Sequence, residues 1–181
     1  MQKIDKDIIA GFGDEWTRFD QGDVSEDELN AIFMNYFSVY PWDSLPKEAV
    51  GFDLGCGTGR WANFVAPKVG TLHCIDPSSA IEVARKNLKE HSNILFQKNT
   101  VFSMNLEHES MDFGYSLGVL HHISDTERGL RECVLRLKKG SPLLLYLYYA
   151  FDNRSQSFKF IWKVSNIFRL IISRLPAYSG R

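Results

Sequence analysis

The sequence has few of the residues that stabilise small secreted folds. Its three cysteines, Cys56, Cys74 and Cys133, are widely spaced and form no C-x-x-C pair. An odd, scattered set of this kind suggests neither a disulfide framework nor a zinc ribbon. A reducing, cytoplasmic location is therefore expected.

Long apolar runs and an excess of one charge are also lacking. No stretch of about 18 uncharged apolar residues occurs, and the N-terminus lacks the apolar core of a signal peptide. The formal net charge is -1, so the chain as a whole has no basic excess of the kind that nucleic-acid-binding domains carry. These absences predict a soluble protein and disfavour DNA or RNA as substrates.

The residues that are present suit a globular fold with three segments. With 44% hydrophobic and 24% charged residues in 181, the chain has the composition of an ordinary single domain with one sizeable core. We predict a helical cap over residues 1–47, a core over residues 48–150, and a basic amphipathic helix over residues 151–181.

The clearest helix of the cap is predicted from Ser25 to about Val39. Ser25 has the character of an N-cap and Glu28 stands three places later, which makes a capping box. Apolar residues then recur at helical spacing, at Leu29, Ile32, Phe33, Tyr36 and Phe37.

From Lys47 onward, short apolar runs alternate with amphipathic stretches, which predicts parallel strands joined by crossover helices. The predicted strands cover residues 49–54, 71–75, 94–97, 112–117 and 143–149. The predicted helices between them cover residues 59–66, 78–90 and 126–137. The fold class is therefore α/β.

A glycine loop follows the first predicted strand. The strand ends at Leu54, and the segment Gly55-Cys56-Gly57-Thr58-Gly59 leads directly into a helical pattern. A strand, a glycine turn and a helix start place backbone N–H groups at the sheet edge, where an anionic group is the natural ligand. The dinucleotide fingerprint would need glycine where Arg60 stands, and the Gly-Lys-Ser/Thr ending of a P-loop is absent.

The remaining pattern, D-x-G-x-G-x-G beginning at Asp53, resembles the class I S-adenosylmethionine-dependent methyltransferases of the small-molecule, methyltransferase-11-like type. The resemblance spans about residues 49–149 and implies a Rossmann-like, doubly wound, mostly parallel sheet. It also implies S-adenosylmethionine as cofactor and S-adenosylhomocysteine as product. Asp53 would pair with the cofactor's ammonium, and Asp76 would accept bonds from the ribose hydroxyls. The plainer alternative is that both aspartates only cap turns.

Further cofactor contacts follow from the same resemblance. Asn99 stands where the family usually has an aspartate that binds the adenine amino group, and its side-chain oxygen can accept that bond without charge. Backbone groups near Leu117 and Gly118 should face the methionine end of the cofactor. The full set of expected cofactor-binding residues is Asp53, Gly55, Cys56, Gly57, Gly59, Asp76, Pro77, Asn99, Thr100, Leu117 and Gly118.

Two adjacent histidines are the candidate catalytic residues. His121 and His122 follow the fourth predicted strand, where a general base could reach an acceptor atom, and imidazole titrates in the useful range. A structural or cofactor-contacting role is the alternative, because transfer from an activated sulfonium can proceed by positioning alone. No metal site is expected.

The two ends of the chain lead to separate expectations. Trp16 and Arg18 are candidates for a lid over the cofactor. The family sheet has two more strands, six and seven, after the fifth, and they appear to be missing here, as if the chain were truncated. The segment 153–181 holds basic residues and no acid, so it would form acceptor pocket, a membrane-surface helix or a homodimer contact. We expect the homodimer and rank membrane contact below it.

The leading hypothesis is methyl transfer to an O, N or C nucleophile of a small-molecule or lipid-like acceptor. The rival is a non-catalytic cofactor-binding or scaffold module that acts through its basic C-terminal helix. The sequence does not identify the acceptor, because pocket walls in such enzymes come from variable segments.

Overall fold

The computed structural model describes residues 25–148, 151 and 153–172 of this protein. The lid candidates Trp16 and Arg18, most of the predicted cap and the end of the fifth predicted strand at Tyr149 lie outside the described residues. The chain forms two compact units, Met1–Leu147 and Tyr148–Arg181, which are described separately.

A five-stranded parallel sheet forms the centre of the first unit. Its strands are β1 (Val50–Leu54), β2 (Thr71–Ile75), β3 (Ile94–Gln97), β4 (Phe113–Leu117) and β5 (Leu143–Tyr146), in the order β3-β2-β1-β4-β5. This confirms the predicted Rossmann-like, doubly wound α/β fold. The strand order reverses between β1 and β4, so a ligand crevice is expected above their carboxyl ends.

Helices cover both faces of the sheet. They are α1 (Glu26–Phe37), α2 (Ala62–Val65), α3 (Ala80–Asn87) and α4 (Thr126–Arg136), with short 3-10 helices at Trp42–Ser44, Ala66–Lys68 and Leu120–His122. The predicted cap of α1 is present, because Ser25 Oγ accepts a 3.2 Å bond from Glu28 N. Asp125 Oδ1 accepts a 2.9 Å bond from Arg128 N and caps α4 in the same way.

Two predicted helices are longer than the observed ones. The helix expected from Gly59 begins only at Ala62, because Gly59 has a φ of 84°, which is left-handed and cannot be helical. The helix expected from Ser78 begins at Ala80, and Ser78 Oγ instead bonds to Asp76 and to Ala80 N.

The core lies in two layers, one on each side of the sheet. The layer under α1, α2 and α3 includes Phe33, Phe37 and Tyr115, and the layer under α4 includes Phe52 and Cys133. These side chains are at most 2% exposed.

Tyr40 fixes the segment after α1 to the sheet. Its hydroxyl donates to Gly114 O at 3.2 Å and lies 3.4 Å from Pro142 O, at the amino-terminal side of β4 and β5. The Phe37 ring meets the Tyr115 ring edge-on at 5.2 Å. Burial raises the pKa of Tyr40, so its hydroxyl stays neutral and remains a donor.

The second unit contains one long helix, α5 (Gln156–Ile172). The Phe151 ring lies 5.5 Å from the Phe158 ring and 5.4 Å from the Trp162 ring. The Arg154 guanidinium lies 5.4 Å above the Phe158 ring. Among the residues that the structure describes, no helix is both long and apolar enough to cross a membrane.

Candidate active site

The glycine loop lies at the carboxyl edge of the sheet, directly after β1. Its backbone is left-handed at three positions, with φ values of 77° at Gly55, 55° at Gly57 and 84° at Gly59. Glycine adopts this conformation without the steric cost that a side chain would bring.

The glycines serve two different purposes. A Cβ at Gly55 would collide with Val119, and a Cβ at Gly59 would collide with Leu88, so these two permit close packing. A Cβ at Gly57 or at Gly118 would meet no atom within 4 Å. Gly57 and Gly118 therefore border open space at the ends of β1 and β4, where the strand order predicts the crevice.

Asp76 ties the loop to the end of β2. Its Oδ2 accepts a 2.9 Å bond from Gly57 N, and its Oδ1 accepts bonds from Ser78 N at 2.8 Å and Ser78 Oγ at 2.6 Å. Each carboxylate oxygen has about two acceptor positions, so Oδ2 keeps one more. Asp76 is 8% exposed, and this remaining acceptor position suits a ribose hydroxyl.

The loop amides do not match the expectation that they hold an anion. Gly55 N and Cys56 N donate to Ile75 O at 2.7 and 3.3 Å, and Gly59 N donates to Cys56 O at 2.9 Å. Gly57 N donates to Asp76, as described above. That expectation is wrong at these four positions, because the end of β2 supplies acceptors that the sequence pattern alone does not reveal.

Asp53 is a buried acid next to this loop. It is 2% exposed, and burial raises its pKa to about 8; the charge of Asp76 raises the pKa further, while the neighbouring Tyr115 hydroxyl lowers it in part. Asp53 Oδ2 and the Tyr115 hydroxyl make no hydrogen bond of good geometry within the described chain. A buried acceptor without a partner is costly, and a cationic ligand group would relieve that cost. The site therefore fits a cofactor that carries an ammonium.

The Cys56 side chain belongs to the core rather than to the crevice. Its pKa is raised well above the usual range, first by a hydrogen bond with the Cys74 thiol and then by burial. Both residues are buried free thiols. Cys56 can contact a ligand at the sheet edge only through its backbone.

Asn99 and Thr100 follow β3 at the same edge. Asn99 Nδ2 donates to Gln97 Oε1 at 3.4 Å, which leaves Asn99 Oδ1 as the acceptor that an adenine amino group requires. The Thr100 hydroxyl is used locally, since it lies 3.0 Å from Ser103 Oγ and accepts a bond from Phe102 N at 3.3 Å. Thr100 therefore shapes the turn that carries Asn99. Pro77 continues the chain after Asp76.

His121 and His122 lie beyond β4 in the 3-10 helix Leu120–His122, with ring centroids 4.0 Å apart. Burial lowers the pKa of both imidazoles, and the neighbouring His122 lowers that of His121 further. Neutral imidazoles dominate near neutral pH, which is the protonation state that a general base needs.

An aromatic cluster at the same edge was not predicted. The Tyr36 ring of α1 lies 5.5 Å from the Trp61 ring and 5.2 Å from the Tyr146 ring at the end of β5. The Arg60 guanidinium lies 4.4 Å above the Trp61 ring. The available signal was the pair Arg60-Trp61 directly after the glycine loop, whereas Tyr36 was interpreted only as a packing residue.

Comparisons with known proteins agree with this geometry. Residues 52–145 match a family model described as a methyltransferase domain. The chain is 31% identical over 108 residues to the tRNA (carboxymethyluridine(34)-5-O)-methyltransferase of Saccharomyces cerevisiae, covering 57% of this chain and 37% of that protein. It is 30% identical over 112 residues to phosphoethanolamine N-methyltransferase 2 of Caenorhabditis elegans, covering 59% of this chain and 26% of the relative. The chain thus spans only about a third or less of the length of these relatives.

Solved structures show the same fold. The YcgJ protein of Bacillus subtilis aligns with a TM-score of 0.58 and 26% identity, covering 69% of this chain and 52% of that one. Phosphoethanolamine N-methyltransferase 1 of Haemonchus contortus, solved with phosphoethanolamine and S-adenosylhomocysteine, aligns with a TM-score of 0.62 and 17% identity, covering 76% of this chain and 31% of that one.

Proposed function

This chain belongs to the methyltransferase domain family, the class I fold whose cofactor is S-adenosylmethionine, and we propose that it transfers a methyl group to an O, N or C nucleophile of a small-molecule or lipid-like acceptor. The observation that carries the proposal is the convergence of Asp53, Gly57, Asp76 and Gly118 at the carboxyl ends of β1, β2 and β4. This is the point where the strand order reverses and where ligands bind in open α/β sheets.

Each of these residues has a proposed task. The remaining acceptor position on Asp76 Oδ2 binds a ribose hydroxyl, and Asn99 Oδ1 accepts a bond from the adenine amino group. Asp53 Oδ2, which lacks a hydrogen-bond partner within the described residues, pairs with the ammonium. Gly57 and Gly118 leave room for the ligand, because neither has an atom within 4 Å of its missing Cβ.

When bound, S-adenosylmethionine supplies a methyl group on a positively charged sulfur. The protein then has to hold the acceptor atom in line with that methyl group. For an acceptor that must lose a proton, the neutral imidazole of His121 or His122 is the group that takes it.

The aromatic cluster supports a small acceptor. Tyr36, Trp61 and Tyr146 come from α1, the loop and β5, and together they wall one side of the sheet edge. Aromatic walls favour a compact apolar or cationic acceptor by area and by cation–π attraction. In addition, all 22 acidic residues of the chain but only 15 of its 21 basic residues lie before residue 153, which opposes a polyanionic acceptor on the core.

RNA is the second candidate acceptor. The charge balance disfavours it, but the yeast relative, 31% identical, is named as a tRNA methyltransferase. The basic segment 153–181 could supply phosphate contacts that the core lacks.

Calorimetric titration with S-adenosylhomocysteine tests the cofactor assignment. Asp76→Ala should weaken binding by roughly 10- to 100-fold, because it removes a charge-assisted hydrogen bond and the support of Gly57 N. Asp43→Ala makes the same change at an exposed position and should bind like wild type. Circular dichroism of both variants checks the fold. Wild-type affinity in a folded Asp76→Ala variant would refute the ribose assignment.

A transfer assay that follows S-adenosylhomocysteine release tests the acceptor class. Small amines, phenols and phospholipids form one panel, and unmodified tRNA forms another. Turnover restricted to the first panel supports the proposal, and turnover restricted to tRNA would favour the RNA candidate. Tight cofactor binding with no turnover in either panel would favour the non-catalytic module instead.

A further inference from the structure

The helix α5 carries a wide apolar face that is exposed. Along the helix, these positions follow the i, i+3 and i+4 spacing that brings side chains to one side. The residues and their exposed fractions are Phe160 (68%), Ile161 (67%), Val164 (38%), Ile167 (58%) and Phe168 (61%).

The other side of α5 is basic. Lys159, Lys163 and Asn166 share this side, with Arg169 at its flank. Phe158 and Trp162 also lie toward it, and both contact the Phe151 ring. The polar side of the helix is therefore positively charged.

The charge of this segment is one-sided. Residues 153–181 contain no acidic residue, and their six basic residues are Arg154, Lys159, Lys163, Arg169, Arg174 and Arg181. Because the remainder of the chain is acidic in balance, any attraction to an anionic surface must act through this segment.

Three partners could cover such a helix, and the side chains distinguish them. RNA would match the basic side, but Ile161, Val164 and Ile167 are aliphatic and cannot stack on bases. A second copy of α5 would cover the apolar face but would bring together two segments that have no acid to offset their basic residues. An anionic lipid surface satisfies both sides, since acyl chains accept the apolar residues and headgroups attract the lysines and arginines.

We propose that α5 lies in the surface of an anionic lipid bilayer, with Phe160, Ile161 and Ile167 toward the acyl chains and Lys159, Lys163 and Arg169 toward the headgroups. This replaces the expected homodimer contact as the preferred role of the segment. The inference does not depend on methyl transfer, and its test needs neither cofactor nor acceptor.

Co-sedimentation of the full chain with lipid vesicles tests the proposal. The protein should bind vesicles of mixed phosphatidylcholine and phosphatidylserine and should not bind pure phosphatidylcholine vesicles. High salt should release it, because part of the attraction is electrostatic. Absence of binding, or equal binding to both kinds of vesicle, would overturn the proposal.

Two triple variants separate the contributions of the two sides. Lys159→Gln/Lys163→Gln/Arg169→Gln should lower partitioning about a hundredfold, since each basic residue near an anionic surface contributes about a factor of five. Ile161→Ser/Ile167→Ser/Phe168→Ser should lower it by at least about tenfold through lost apolar burial. A triple variant with the same charge loss at exposed sites of the first unit, Lys86→Gln/Lys89→Gln/Arg131→Gln, should bind like wild type.

Competing outcomes are decided by the same proteins. If the control triple variant loses as much binding as the α5 charge variant, general electrostatics explain the binding and the proposal fails. If light scattering shows dimers that the apolar variant abolishes, the covering partner is a second copy. If tRNA binds and only the charge variant loses it, the segment is an RNA contact. Circular dichroism confirms that the helix persists in each variant.

Discussion

Asp53 is the residue whose protonation most affects the proposed site. An acid that is 2% exposed with a pKa of about 8 is mostly protonated at neutral pH when no ligand is bound. Pairing with an ammonium requires the ionised form, so cofactor binding should release a proton.

The resulting prediction concerns affinity as a function of pH. Between about pH 6 and pH 7, the dissociation constant for S-adenosylhomocysteine should fall by close to tenfold, because each unit of pH below the pKa costs about 1.4 kcal/mol to ionise Asp53. This range lies below the titration of the ligand's own α-amino group, at about 7.7–8.0. Calorimetry in buffers of different ionisation enthalpy measures both the affinity and the released proton.

Asp53→Asn is the matched variant for that experiment. It should bind more weakly at pH 7 and should lose the pH dependence, because the amide does not titrate. A wild-type protein whose affinity is flat over this range would show that Asp53 does not pair with the ammonium.

The histidine pair leads to a second prediction at this scale. Replacing the catalytic histidine with alanine should lower kcat by about 10²- to 10⁴-fold and leave cofactor affinity unchanged. Since burial lowers the pKa of both rings, the acid limb of the wild-type rate profile should fall below the ordinary histidine value of 6.5. Steady-state kinetics of His121→Ala and His122→Ala, measured separately, identify which ring acts. Full activity in both variants would mean that positioning alone suffices.

Among the elements, α1 is joined to the sheet through Tyr40. Tyr40→Phe removes the hydroxyl that donates to Gly114 O at 3.2 Å and leaves that carbonyl without this bond. The loss should lower the free energy of unfolding by about 1–3 kcal/mol. Urea denaturation measures this change, and Tyr148→Phe, at a position 65% exposed, is the control that should change it little. Equal stability of the two variants would contradict an anchoring role.

The strands were easier to predict from the sequence than the loop and the site. The bounds of β2 and β3 match their apolar runs, because a buried parallel strand needs continuous apolar residues. The start of α2 could not be read, because it depends on the left-handed backbone of Gly59. The loop amides were misjudged because their acceptor, Ile75 O, belongs to a different strand. The aromatic cluster was missed because Tyr36 and Tyr146 meet only once the sheet has formed.

At the scale of the whole molecule, the division into two units predicts separable behaviour. The first unit, Met1–Leu147, contains all five strands and every candidate cofactor residue. A chain that ends at Leu147 should therefore fold and bind S-adenosylhomocysteine within about threefold of the full chain, a difference below 1 kcal/mol. It should also lose all vesicle binding. Calorimetry and co-sedimentation on this chain check both statements, and loss of cofactor affinity would show that the second unit completes the site.

The way in which Tyr40 holds the segment after α1 has a consequence for how such proteins diversify. Its hydroxyl contacts only main-chain carbonyls, those of Gly114 and Pro142, and these oxygens are present whatever side chains the sheet carries. The attachment therefore makes no demand on neighbouring residue identity. Tyr36, on the same helix, can then be exchanged during evolution for a residue that suits another acceptor while the helix stays in place.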